Sequence, residues 1–155
     1  MARIGDFADD DLVGWFGLSP DLGAAVGGYA DAVYRKGRLS PRTRELARMV
    51  IAGRNECAVC ENTRDETLDD EFYAHAAEWR TWDGYTDAER VAAEFADRFA
   101  TDHLDLRVDD DFWSLCHQHF DDEHIVDLAL SCALWVGQGR ALRVLDIGQA
   151  CRLTI

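Results

Sequence analysis

The sequence predicts an all-α protein. Three observations carry that prediction. The only prolines are Pro20 and Pro41, so the rest of the chain is free of that helix breaker. No stretch alternates apolar and polar residues over strand length. Helix-start signals recur along the chain, each followed by apolar residues at helical spacing.

Taken in order, Leu22 to Tyr34 is apolar with small residues and predicts a helix that Gly37 ends. Ser40-Pro41 is a start signal: Ser40 can cap, and Pro41 sits at the first helical position, where its missing N–H costs nothing. Leu46, Met49, Val50 and Gly53 follow at helical spacing, and Gly53-Arg54-Asn55 predicts a stop or bend. A further helix is expected from Glu56–Cys57, and a short one capped by Asp69 or Asp70 is expected to run through Trp79. Thr86-Asp87-Ala88-Glu89 matches a capping box, ahead of Val91, Phe95 and Phe99. Asp109 to Asp111 open a helix carrying Phe112, Trp113, Leu115, Cys116 and Phe120. Asp121 and Asp122 precede the last long helix, with Ile125, Leu128, Cys132, Trp135 and Val136 on one face.

The 155 residues fit a single domain. The charge is 16 − 30 = −14, which argues against nucleic acid and anionic membrane as partners. Many of the acids have a structural use at helix starts, as at Asp69, Asp87, Asp109 and Asp122. No basic region with an apolar run opens the sequence, and the apolar stretch from Ile125 to Gly137 is broken by Asp127. A soluble, cytoplasmic protein is therefore expected. Five cysteines in a reducing compartment read as free, catalytic or metal-bound rather than as a disulfide framework.

The chemistry concentrates at Cys57-Ala58-Val59-Cys60. A C-x-x-C pair in the first turn of a helix brings two sulfurs close enough for a small disulfide ring, and a helix N-terminus favours a thiolate. Thiol–disulfide exchange or attack on a peroxide would follow. Two other readings stay open. The pair could be half of a zinc site completed by Cys116, His117 and His119, or two packed core cysteines. Cys116 and Cys132 read as small core residues, and Cys151 as a tail residue. Trp113 and Trp135 read as core, whereas Trp15, Phe16, Trp79 and Trp82 could line a pocket or an interface.

Leu39-Ser40-Pro41-Arg42-Thr43-Arg44-Glu45-Leu46-Ala47-Arg48, followed by Asn55-Glu56-Cys57-Ala58-Val59-Cys60, resembles the core signature of the alkylhydroperoxidase AhpD-like / carboxymuconolactone decarboxylase family. Tyr73, Trp79-Arg80, Thr86 to Arg90, Val108, Phe112 and Phe120 to Leu128 resemble the usual flanks, so the resemblance covers about residues 30–148. It implies an AhpD-like helical bundle that assembles as a trimer or hexamer. It implies a thiol-dependent peroxidase or disulfide reductase that needs no bound cofactor, takes a peroxide or disulfide as substrate, and is recharged by an external thiol. Cys60 would be the inner, peroxide-reactive thiol, Cys57 the more exposed resolving thiol, and Glu45, twelve residues before Cys57, the base.

The family's relay histidine falls at Arg64, which departs from the pattern. Arginine does not shuttle protons, although its charge could favour a thiolate one turn away. His117 or His119 is the first choice for a replacement from elsewhere in the fold, while His75, His103 and His124 read as surface or structural. Glu45 could equally be a helix charge paired with Arg48 or Arg42, and Arg64 a surface arginine paired with Glu61, Asp65 or Asp69. The family's decarboxylase branch, a lyase acting on a lactone-type small molecule, is the alternative activity. A non-catalytic metal-binding or structural helical protein is the third.

Overall fold

The computed structural model describes residues 2–8, 11–149 and 154–155, so Cys151 lies outside the described residues. Among the described residues eight α-helices follow one another: α1 (Pro20–Arg35), α2 (Pro41–Asn55), α3 (Ala58–Asn62), α4 (Asp70–Ala74), α5 (Asp87–Thr101), α6 (His103–Val108), α7 (Asp110–His119) and α8 (Asp122–Leu145). Short 3₁₀ turns precede α1 (Gly14–Leu18) and follow α4 (Ala76–Glu78). Among the described residues the only extended pairing is an isolated parallel bridge between Arg64 and Thr154.

The caps form where the sequence places them. Ser40 accepts the N–H of Thr43 at 3.2 Å, with Pro41 at the first helical position. Thr86 and Glu89 exchange both capping-box hydrogen bonds. Asp69, Asp109 and Asp121 each accept the backbone N–H three residues on, at 2.9 to 3.0 Å. These bonds use up amides that a helix start would otherwise leave unpaired.

Helix α2 is the centre of the fold. It packs most extensively on α5 and next on α8, and residues 43–48 are all buried. Ala47 and Ile51 join Val91, Ala92, Phe95, Leu128, Cys132 and Trp135 in the main core. Leu46 and Val50 face a second cluster of Phe72, Tyr73, Trp79 and Tyr85. At its end, Asn55 docks α2 onto α8. Its side-chain N–H donates to the Trp135 carbonyl at 3.0 Å, and its Oδ1 accepts from Arg140 at 3.1 Å. Gly139 permits this approach, since a Cβ there would collide with the Asn55 amide.

Several boundaries differ from the sequence expectation. The helix expected from Glu56–Cys57 starts at Ala58, because Glu56 adopts a left-handed conformation (φ 49°) and Cys57 is extended. The helix expected through Trp79 ends at Ala74 and resumes as a 3₁₀ turn. The 3₁₀ turn at Gly14–Leu18 and the helix α6 carry too short a pattern to be anticipated. Helix α8 runs well past the Ile125–Gly137 stretch and is long and apolar enough to cross a membrane by length and composition. Its Leu128, Cys132, Leu134 and Trp135 are buried in the core. Trp79 is buried, and Trp82 stacks on His75 with ring centroids 4.4 Å apart.

The capping box gives a direct test of local stability. Thr86→Ala is expected to lower unfolding free energy by about 1 kcal/mol, and Thr86→Ser to retain most of it, as read by urea denaturation.

Candidate active site

The buried face of α2 carries two charges of each sign together with its neighbours. Glu45 is fully buried, and Arg44, Arg48 and Asp65 are nearly so. Arg48 is three residues after Glu45, so their side chains lie on one helix face. Arg48 Nη2 and Nε donate to Glu45 Oε2 at 2.7 and 3.0 Å. The same guanidinium reaches over to the next segment, where it donates to the carbonyls of Cys60 at 2.5 Å and Thr63 at 2.8 Å. Arg44 pairs with Asp65. Tyr73 closes the cluster: its hydroxyl donates to Glu45 Oε2 at 3.0 Å and accepts the Asp65 N–H at 2.7 Å.

Burial alone would lower the pKa of Arg48, but the Glu45 carboxylate more than offsets this and raises it. Burial works to raise the pKa of Asp65. The hydrogen bonds from Thr67 and the charge of Arg44 outweigh it, so the carboxyl titrates below its ordinary range. Tyr73 is pushed up to about 12 by burial and by the Glu45 charge.

Cys57 and Cys60 are joined by a disulfide, with Cα atoms 5.2 Å apart. Cys57 is the N-cap residue of α3, and its N–H donates to the Ala52 carbonyl at 3.2 Å. It is fully buried, in a small apolar cluster with Val59, Leu12 and Leu142. Cys60, a turn later, is partly exposed and lines a cavity of about 250 Å³. The exposure expected from the family resemblance is therefore reversed: Cys57 is the inner sulfur. Helix α3 has only five residues, and the Ala58 N–H at its start is taken by Gln149 Oε1 at 3.1 Å. So short a helix has few aligned peptides, and the thiolate stabilisation expected from its dipole is small.

The cavity walls are mostly apolar. Leu12, Val13 and Phe16 come from the N-terminal segment, Val26 and Ala30 from α1, Ile51 and Ala52 from α2, and Leu134, Trp135 and Leu142 from α8. The polar groups at its wall include Arg48, Asn55, Thr63 and Tyr34. Tyr34 was not singled out in the sequence. No motif marks it, and the docking of α1 on α8 brings it to the wall of the cavity that Cys60 also lines.

The other expected site residues fall as follows. Glu45 pairs with Arg48, and among the described residues no hydrogen bond joins it to either sulfur; it reaches the cysteine segment through the Arg48 guanidinium. Arg64 does not line the Cys60 cavity. Its guanidinium lies over the Tyr73 ring, 4.4 Å from the centroid, and donates to the carbonyls of Glu61 and Thr63. His117 and His119 are exposed on α7 and line a surface depression with residues 120–123, so neither replaces the relay histidine. The zinc arrangement fails on the same ground: Cys116 is a buried core thiol, pushed up to about 11 by desolvation, while His117 and His119 face outward. Cys132 is likewise a buried free thiol.

Removing half of the Arg48–Glu45 pair leaves a buried charge without its partner. Arg48→Met is expected to cost about 3–5 kcal/mol in urea unfolding, and adding Glu45→Gln to recover a large part of it. Asp65 predicts acid sensitivity of a definite sign. Its folded pKa lies below the unfolded one, so its contribution is present above the unfolded pKa and is lost as pH falls through the folded value. Unfolding midpoints measured downward from pH 5 should therefore fall less steeply in Asp65→Asn than in the parent.

A model of the carboxymuconolactone decarboxylase family matches residues 20–98, just over half of the chain. Among solved structures, ATU0492 from Agrobacterium tumefaciens, a protein of unknown function provisionally ascribed to AhpD antioxidant defence, superposes with a TM-score of 0.76 at 22% identity, over 94% of this chain and 96% of that one. A peroxidase-related AhpD-core protein from Ralstonia eutropha JMP134 gives 0.70 at 19%, over 87% and 78%. The debrominase Bmp8 gives 0.71 at 20%, over 85% and 73%. No curated protein matches the chain. The structural likenesses speak for the fold, an AhpD-like helical arrangement, and by the family match the chain belongs to the carboxymuconolactone decarboxylase family.

Proposed function

We propose that the protein is a dithiol oxidoreductase of the AhpD kind, reducing a peroxide or a partner disulfide at Cys57 and Cys60. One observation carries the reading: the two cysteines are joined as a disulfide at the wall of an apolar cavity, with Cys60 open to it. For a peroxide the balance is two thiols plus ROOH giving a disulfide, ROH and water. An external thiol returns the pair to the dithiol. Cys60, the accessible sulfur, is the attacking group. Cys57, held behind it, resolves the oxidised sulfur without leaving its place.

In this reading Glu45 holds Arg48, and Arg48 holds the Cys60 and Thr63 carbonyls. The cysteine segment is thereby fixed against α2, and the sulfurs stay aligned through the redox cycle. The lyase alternative is less well supported. A lactone carrying a carboxylate needs a free cationic group, and the guanidinium at this cavity is already engaged by Glu45 and two carbonyls. The exposed apolar side chains of Val13, Leu18 and Leu22 favour assembly of several copies. Light scattering in solution that returned the monomer mass would remove that expectation.

The activity is tested with the reduced protein and an organic hydroperoxide, following consumption of dithiothreitol. Cys60→Ser should abolish turnover. Cys57→Ser should stop after one oxidation and leave a sulfenic acid on Cys60 that dimedone labels, read by mass spectrometry. Full turnover in Cys60→Ser would defeat the proposal.

A further inference from the structure

The dithiol reading requires a proton donor for the leaving oxygen, and Arg64, in place of the family's histidine, does not line the cavity and lies over the Tyr73 ring. We infer that Tyr34 is a catalytic residue of the Cys60 site, donating its hydroxyl proton to the oxygen that leaves when Cys60 attacks an organic hydroperoxide held in the cavity. The inference rests on the dithiol reading above.

Tyr34, near the end of α1, lines the same cavity as Cys60, Arg48 and Trp135. Trp135 Nε1 donates to the Tyr34 hydroxyl oxygen at 3.1 Å. An indole N–H can only donate, so the phenol is the acceptor in that bond and its own hydrogen is left over. Among the described residues no acceptor takes that hydrogen. The ring is held in place as well. The Arg44 guanidinium lies over it, 5.6 Å from the centroid, and Arg44 Nη1 donates to the Tyr34 carbonyl at 3.2 Å. An O–H held by its neighbours, with no acceptor among the described residues, is preorganised for a ligand.

The other polar groups at the cavity wall are poor proton donors. The Thr63 hydroxyl is spent on the Val59 carbonyl at 2.8 Å, and the Asn55 amide bridges Trp135 and Arg140. Arg48 is held charged by Glu45, and Gln138 carries only an amide. Desolvation raises the phenol pKa of Tyr34 above its ordinary value, so it carries its proton at neutral pH. It is still far more acidic than the conjugate acid of an alkoxide.

The step balances. The Cys60 thiolate attacks the terminal oxygen of ROOH; an S–O bond forms and the O–O bond breaks. Cys60 becomes a sulfenic acid, and the departing alkoxide takes the Tyr34 proton to give ROH. The Cys57 thiol then attacks the Cys60 sulfur, the S–S bond forms, and hydroxide leaves with the Cys57 proton as water. The tyrosinate, whose pKa is raised by burial, is reprotonated from solvent once ROH departs, and the Cys60 thiol, restored by the external thiol, gives its proton to solvent as it ionises for the next turnover. Two electrons pass from the two sulfurs to the peroxide, and an external thiol restores the dithiol.

The test is single-turnover oxidation of the reduced full-length protein by cumene hydroperoxide, followed by stopped flow. Tyr34→Phe should slow Cys60 oxidation by about 100-fold or more, the usual scale for losing a general acid. Alkylation of Cys60 by iodoacetamide, which does not need this proton, should keep its parent rate and pH profile. 3-Fluorotyrosine at position 34, which keeps the hydroxyl but makes it more acidic, should retain activity and move the alkaline limb of the rate profile to lower pH. Parent-like oxidation of Tyr34→Phe overturns the inference and leaves the dithiol reading standing, as does an alkaline limb unmoved by 3-fluorotyrosine. A parent protein that cumene hydroperoxide does not oxidise overturns the peroxidase reading and this inference together.

Discussion

The buried guanidinium of Arg48 is the interaction on which the rest of the site depends. It satisfies the Glu45 carboxylate on its own helix and, at the same time, the carbonyls of Cys60 and Thr63 on the following segment. An unpaired charge at this depth would be costly to bury, so the folded state holds both sides of the contact together. Arg44 and Asp65 repeat the arrangement a turn away, and Tyr73 ties the two pairs through Glu45 and the Asp65 amide. Two cations and two anions thus share one enclosed space. The backbone around the cysteines is fixed by ionic contacts that a change of redox state at sulfur does not touch.

The site has two faces of opposite character. Behind Cys60 lies the ionic cluster, with its charges matched within the protein. In front lies the cavity, walled by aliphatic and aromatic side chains from α1, α2, α3 and α8, from the N-terminal segment and from Ile155. A neutral, apolar molecule enters such a space without losing strong hydration, whereas an anion would find Arg48 already committed. Selectivity of this kind comes from what the wall lacks as much as from what it presents. The indole–phenol contact between Trp135 and Tyr34 adds a polar feature to the largely apolar side formed by α1 and α8.

Packing of α2 between α5 and α8 makes this division possible. Asn55 and Gly139 set how closely α8 approaches, which places Trp135 at the cavity. The left-handed Glu56 then turns the chain sharply. Cys57 is thereby tucked beneath Val59 and Leu142, while Cys60 is carried around to the open side.

The longer helices are legible in the sequence because their causes are local, whereas α6 and the exact bounds of α3 and α4 are not. Ser40-Pro41, the Thr86–Glu89 box and the aspartates at 69, 109 and 121 act within one turn of chain, and each cap forms as the residues require. The C-x-x-C pair and the i, i+3 relation of Glu45 to Arg48 belong to the same local order and could be read directly. What surrounds them depends on residues far apart in sequence. Which sulfur is covered depends on Leu12 and Leu142, and where Arg64 points depends on Tyr73. Whether Tyr34 shares a cavity with Cys60 depends on an α1–α8 contact between residues 101 apart in sequence. Local propensities fix dihedrals along the chain, but burial and the destination of a buried proton or charge are properties of packed neighbours. Only the tertiary structure decides those.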